Sequence, residues 1–140
     1  MDKKDLAIIK VLKENSRSSI RDISKKTNIR PSTVHQRITK LKKEEIIDKF
    51  TIKLNNAKVG ESLIVFMFVK TKPATQLTKT VLSDKHIKEV FGITGEYDLL
   101  IKLKFNDVTE FNEFIIQFRK EQQIETTHTM VVTTTIKEEI

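Results

Sequence analysis

The chain has 140 residues and no cysteine, so it is long enough for one domain or two small ones and holds neither a disulfide framework nor a thiolate metal site. No apolar run reaches about eighteen residues and the opening MDKKDL lacks a signal-peptide core, so no membrane span or leader is expected and a cytoplasmic protein is. The net charge of +7 is unevenly placed: residues 1–54 carry 15 Lys or Arg against 7 Asp or Glu, whereas residues 55–140 carry 11 against 12, so only the first part is expected to meet a polyanion. A well-solvated lysine-rich surface would give the same count.

Leu6, Ile9 and Leu12, with Ile8 beside them, recur at a helical period over residues 5–14. Ser19 is a good N-cap for a second helix, and Asp22 is a shorter version of the capping-box acid. Ile20 and Ile23 then face inward, and Asn28 suits the left-handed conformation that ends a helix. Ile29 is expected to pack beneath the turn. Pro31 opens a third helix, since its missing N–H would be unbonded at that position anyway. Val34, Ile38 and Leu41 give this helix a narrow inward stripe. At about 100° per residue, its opposite side carries Ser32, Gln36, Thr39, Lys40 and Lys43, with Thr33, His35 and Arg37 on the flanks.

A short helix, a tight turn and a second helix projecting polar side chains make a helix-turn-helix, here over about residues 19–43. The B-DNA major groove accepts one α-helix and presents base-edge donors and acceptors. Ser32, Thr33, His35 and Gln36 are candidates to read base edges, Gln by pairing with adenine. Arg37, Lys40 and Lys43 are candidates to hold phosphates, which gives affinity without discrimination. An ordinary three-helix bundle with a charged exterior is the plainer reading. Spacing, polar outer face and charge split together favour double-stranded DNA as the partner. A module that uses its basic part on RNA or acidic proteins is a further alternative. The absence of aromatic residues on the outer face of residues 30–43 weighs against single-strand stacking.

The stretch LKENSRSSIRDISKKTNIRPSTVHQRITKLKKEEII resembles the DNA-binding domain of the Lrp/AsnC family, the feast/famine regulators of bacteria and archaea. The matching residues are Leu12, Asn15-Ser16-Arg17, Ser19 with Asp22-Ile23, then Val34, Arg37, Ile38 and Leu41, followed by Glu44, Ile46-Ile47 and Phe50. The resemblance implies a sequence-specific transcription regulator. Two departures stand out. Many relatives carry Ser or Thr where this chain has Arg30. The side-chain cap is then lost and a guanidinium sits at the positive end of the helix dipole, which contact with a phosphate would relieve. Relatives also carry Gly where this chain has Glu45, so the third helix is expected to end differently.

Phe50, Ile52 and Leu54 alternate with polar residues, a short strand pattern, before the turn signals Asn55-Asn56 and Gly60. Residues 1–54 are thus read as the DNA-binding domain, 55–61 as a linker and 62–140 as a second domain. The resemblance implies that the connecting strand pairs with that of a second subunit. In the second domain SLIVFMFVKT (62–71) is a nearly continuous run of β-formers, QLTKTVLSD a weak helix, and IKEVFGI and DLLIKLKF two strands joined through TGEYD. VTEFNEFIIQFRKEQ sets Phe111, Phe114, Ile115 and Phe118 at helical spacing, and TTHTMVVTTTI is a final strand dense in β-branched residues. The expected fold class is therefore α+β: an N-terminal helix-turn-helix, winged-helix-like domain and a C-terminal ferredoxin-like βαββαβ domain. Two helices cover one face of such a sheet, and the other face should alternate with polar residues. Leu63 to Val69 do not alternate, nor do residues 99–101 or 130–132. A second copy of the sheet is the expected cover, giving a homodimer joined face to face.

This half resembles the effector-binding, dimerising domain of the same family, most closely at Thr94-Gly95-Glu96-Tyr97-Asp98 with Leu99-Leu100 after it. Family members bind amino acids near a similar turn, between dimers. The resemblance thus implies an amino-acid effector and a higher-order assembly of dimers. Physically, Gly95 permits close backbone approach, Asp98 can accept from an α-ammonium, and backbone N–H groups can hold a carboxylate. A plain hairpin turn with Asp98 as a local brace would use the same residues. No HExxH, GxSxG or GxxxxGK occurs, and no enzyme activity, cofactor or metal is expected. Sirohaem decarboxylases share the two-domain architecture, so an enzyme of that type is the alternative, with His86 or His128 serving a tetrapyrrole pocket.

Overall fold

Asp2 starts the first helix by accepting the backbone N–H groups of Lys4 and Asp5, and Asp5 accepts that of Asp2 in return. This helix, α1 (Lys3–Glu14), is followed by α2 (Ile20–Thr27) and α3 (Pro31–Lys43) in the computed structural model, which describes residues 1–139. Ile140, the last residue of the expected second domain, lies outside the described residues. At α2 the Ser19 hydroxyl accepts from Asp22 N–H while the Asp22 carboxylate accepts from Ser19 N–H, a second reciprocal cap. The hydroxyl also donates to that carboxylate and holds it below the usual range. Asn28 ends α2 in the left-handed conformation at φ 56°, and Pro31 opens α3 with no side-chain cap from Arg30. Ile8, Ile23 and Val34, one from each helix, are fully buried together, with Val11 and Ile29 nearly so.

The end of α3 keeps the turn that a glycine would make. Ile46 N–H donates to Leu41 O at 2.9 Å and Glu45 N–H to Lys42 O at 3.1 Å, with Glu45 at φ 56°. These are the two closing bonds of a Schellman stop. The departure at residue 45 therefore changes the residue and its strain, not the path of the chain. Within the single chain Phe50–Leu54 is not paired as a strand, and residues 1–53 contain helices but no strand. Phe50, Ile52 and Leu54 are 45, 65 and 51% exposed. Their alternation lacks a neighbour to ladder with, and a strand exists only through a partner's hydrogen bonds.

Contacts divide the chain into two compact units, residues 1–53 and 54–139. The second comprises β1 (Leu63–Thr71), α4 (Lys79–Leu82), β2 (Ile87–Gly92), β3 (Leu99–Phe105), α5 (Val108–Phe118) and β4 (Ile124–Val131). The sheet is antiparallel in the order β2-β3-β1-β4, the ferredoxin-like arrangement. The weak helix around residue 80 shrinks to the single turn α4. β4 begins at Ile124, earlier than its sequence pattern suggests, and stops at Val131. Val132 N–H still donates to Ile64 O at 2.9 Å, but β1 itself begins at Leu63, so Thr133–Thr135 have no strand left to pair with.

Val65, Met67, Val69, Ile101, Leu103 and Phe105 are fully buried under Ile115 and Phe118 of α5. On the sheet's other face Phe66, Phe68 and Leu100 are half-buried, while Met130 and Phe91 are 46 and 48% exposed. The chain closes one end of this face by itself. Glu138, on the segment after β4, accepts from Lys102 at 2.8 Å and from Asn56 at 3.0 Å, and pairs with Lys104 at 3.0 Å. Those bonds hold its carboxyl at about 2. Asn56 opens a 3-10 turn (Asn56–Val59) within the stretch expected as a linker, and it also accepts from Lys104 at 2.9 Å. Among the described residues the apolar end of the face keeps no such cover. No helix of the described residues is long and apolar enough to cross a membrane.

Candidate nucleic-acid interface and effector turn

α3 rests on the first unit through Val34 and Leu41, both buried, and the half-buried Ile38. Ser32, His35, Gln36, Thr39, Lys40 and Lys43 are exposed, and Thr33 is half-buried. The helix thus presents hydroxyl, amide, imidazole and ammonium groups on one continuous surface. The Thr39 hydroxyl donates back to His35 O at 3.0 Å, which fixes its rotamer along the helix. Lys40 Nζ lies 3.7 Å from Glu44 Oε1, an exposed pair of small energetic weight. Arg30 is exposed at the start of α3. Its lack of a capping side chain leaves the first N–H groups of the helix without a side-chain acceptor, beside a guanidinium.

Arg37 does not join this surface as a solvated cation. Its Nη1 donates to Asp2 Oδ2 and, at 3.1 Å, to Asp5 Oδ1, so its guanidinium is tied to the start of α1. The two carboxylates raise the affinity of Arg37 for its proton, Asp2 foremost. The bond from Asp5 N–H, with help from Arg37, holds the Asp2 carboxyl at about 2. Arg37, expected to hold a phosphate, is thus engaged by partners more than thirty residues away in the chain.

The turn at residues 94–98 joins β2 to β3 against the end of β1. Ile93 N–H donates to Asp98 O and Asp98 N–H to Val69 O, each at 2.9 Å. Gly95 sits at φ 117°, where a side chain would be strained. Asp98 Oδ2 accepts from Thr71 N–H at 2.7 Å and from the Thr71 hydroxyl at 3.0 Å. One carboxylate oxygen therefore braces the turn, and the brace reading of Asp98 is met in the structure. Thr94, Gly95, Glu96 and Asp98 are exposed. Tyr97 is half-buried, its ring centroid 5.5 Å from that of Phe68 and 6.3 Å from that of His128. Sequence reasoning did not gather these three rings, because only the β1–β4 register, which sets Phe68 opposite His128, brings them together.

His86 and His128 do not converge on one pocket. His86 stacks on Phe105 at 4.7 Å on the side of the sheet packed by α5, with Nδ1 2.7 Å from Asp84 Oδ1 and Nε2 3.0 Å from Glu110 Oε1. His128 stands on the opposite face beside Tyr97. Among the described residues no cluster of His, Asp and Glu is placed to hold a metal ion.

Residues 1–48 match the family model of winged helix-turn-helix DNA-binding domains, and residues 64–140 that of the Lrp/AsnC ligand binding domain. The HTH-type transcriptional regulator FL11 of Pyrococcus abyssi is 34% identical over 140 residues, which span 99% of this chain and 93% of that protein. Among solved structures, LrpC of B. subtilis superposes with a TM-score of 0.90 at 23% identity, covering 99% of both chains. The transcriptional regulator NMB0573 of Neisseria meningitidis, solved as a complex with L-Met, gives 0.94 at 24% identity, covering 99% of this chain and 94% of that one. A helix-turn-helix unit joined to a ligand-binding-type unit defines a DNA-binding transcription regulator. The chain belongs to the Lrp/AsnC family of such regulators.

Proposed function

We propose that two copies of the chain bind duplex DNA together, each setting α3 into a major groove of a roughly palindromic site. The observation that carries this reading is the polar outer face of α3, exposed along its length while its inner stripe is buried. Ser32, Thr33, His35 and Gln36 lie toward the N-terminal half, the part of a recognition helix that meets base edges. Arg30, Lys40 and Lys43 flank them and hold phosphates. The second copy packs on the apolar end of the uncovered sheet face, around Phe66, Phe68 and Met130. Half-site centres then fall about one helical turn, or a multiple, apart. Such a protein works in the cytoplasm, where its DNA is.

We also propose that an amino acid bound at Thr94–Asp98 favours one assembly of dimers over another and so alters which DNA sites are spanned. Support comes from the family and from the L-Met bound to NMB0573. Asp98 keeps one oxygen outside the Thr71 brace with which to accept an ammonium. The regulator reading leaves no catalytic role for the chain. His86 and His128 on opposite faces of the sheet disfavour a tetrapyrrole pocket, and a Soret-region band on mixing with sirohaem would reverse that view.

Mobility shifts on selected genomic fragments, random duplex, single-stranded DNA and RNA test the first proposal. Preference for RNA or single strands would overturn it. Gln36→Ala is expected to cost roughly 1–3 kcal/mol of discrimination between sequences. Equal losses on selected and random duplex would remove Gln36 from the reading set. Asp98→Asn keeps an acceptor for Thr71 and removes the charge. It should abolish an amino-acid response while DNA binding persists.

A further inference from the structure

Arg37 stands in the middle of α3, one residue from Gln36, yet its charge is committed to α1. The four carboxylate oxygens of Asp2 and Asp5 are divided evenly between α1 and α3. Asp2 Oδ1 accepts from Lys4 N–H at 2.9 Å and Asp5 N–H at 3.0 Å, while Asp2 Oδ2 accepts from Arg37. Asp5 Oδ2 accepts from Asp2 N–H at 2.8 Å, while Asp5 Oδ1 accepts from Arg37 at 3.1 Å. Each aspartate thus gives one oxygen to starting α1 and the other to α3. Asp5 is 4% exposed, the one buried charged residue among those described, so a counter-charge at Arg37 is obligatory.

The remaining contact between these helices is apolar. Apolar burial is non-directional and holds two helices together without fixing how either is rolled about its axis. The stripe on α3 is only Val34, Ile38 and Leu41 wide. A hydrogen-bonded ion pair on the flank of the helix has direction, and rolling α3 either way breaks it. We propose that Arg37 is a positioning residue for DNA reading: through Asp2 and Asp5 it fixes the roll of α3, and so the aim of Gln36 and Ser32, without touching DNA. This inference rests on the reading of α3 as the recognition helix.

The test uses the full chain, the duplex it selects from genomic fragments, a random duplex and a series of salt concentrations. Asp2→Asn is the decisive variant. Asparagine caps a helix as well as aspartate does, and residue 2 has a 52% exposed side chain, so the fold survives. Removing a negative charge would, by electrostatics alone, tighten binding to every duplex. The positioning role predicts the opposite sign on the selected site, a loss of roughly tenfold, comparable with losing one base contact, with random-duplex affinity unchanged or higher. Asp5→Asn should act in the same direction. Arg37→Gln should weaken selected-site binding while the slope of log affinity against log salt stays that of the parent. Lys43→Ala, removing a phosphate contact, should lower that slope by about 0.9. Circular dichroism identifies any variant that has lost its helices, and Asp2→Asn decides if Arg37→Gln is one. Tighter selected-site binding by Asp2→Asn, or a slope reduced by about 0.9 in a folded Arg37→Gln, would overturn the inference. A parent chain that prefers no duplex would instead sink the DNA reading, and this inference with it.

Discussion

α3 and α5 are of similar length, 13 and 11 residues, and bury themselves very differently. α5 turns Phe111, Phe114, Ile115 and Phe118 into the core above the sheet, and little but Ile116 and Val108 is apolar on its outside. α3 commits only a narrow stripe and surrounds it with groups that can bond a partner. The same 3.6-residue period announces both helices. What separates a helix that serves its own fold from one that serves another molecule is the width of the stripe and the chemistry of the remainder.

Substitutions test this contrast. Phe105 lies under α5, fully buried against Phe111 and Phe114. Phe105→Ala should cost about 3–5 kcal/mol in denaturant unfolding, because it removes a large ring from a closed core. A cost near zero would mean that α5 is not the core helix described. Ser19→Ala takes away one half of the cap on α2 and should cost about 1 kcal/mol. Glu45→Gly relieves a left-handed glutamate at the end of α3. It should raise stability by about 0.5–1 kcal/mol, the strain relieved less the greater freedom of glycine in the unfolded chain. A loss would mean that Glu45 is held there by something beyond the turn.

The smallest effect is a difference in acid sensitivity. Backbone bonding from Asn106 and contact with His86 hold Glu110 at about 2, and Glu138 is held there too, from an ordinary 4.5. Asp2 in the first unit falls to about 2 from 3.8. Each is more acidic in the folded chain than in the unfolded one, so each stabilises fully above its unfolded value and loses that contribution as pH falls toward 2. The second unit should therefore begin to weaken near pH 4.5 and the first only near 3.8. Amide exchange followed separately in each unit would show the order, and the reverse order would contradict it.

Local chemistry was the legible part of this sequence. Ser19 with Asp22, Asn28 and Pro31 each act within a few residues, so cap, stop and start stand where those residues are. The stripe of α5 was legible because burial imposes a period, whereas the unbroken apolar run of β1 marks a strand without marking which parity faces α5. Three further features were not legible. Arg37 meets Asp2 and Asp5 across more than thirty residues, and the only hint was a pair of acids at the start of α1. Phe50–Leu54 has the alternation of a strand, but alternation is necessary and a neighbour is what makes the ladder. Glu138 reads as surface charge in the sequence because nothing local shows that it lands between Lys102 and Lys104. For the effector turn, Gly95 and Asp98 were recognisable through their family pattern, while the companionship of Tyr97, Phe68 and His128 depends on strand register.

Glu138 stands beyond β4, on a segment without regular structure. Glu138→Ala would take away a carboxylate shared by two mostly covered lysines. Two ammonium groups would then face each other with one acceptor fewer, and that end of the sheet would swell or draw in an outside anion. One residue on an irregular segment would thereby set the charge of a surface built by β3, whose lysines stand more than thirty residues earlier.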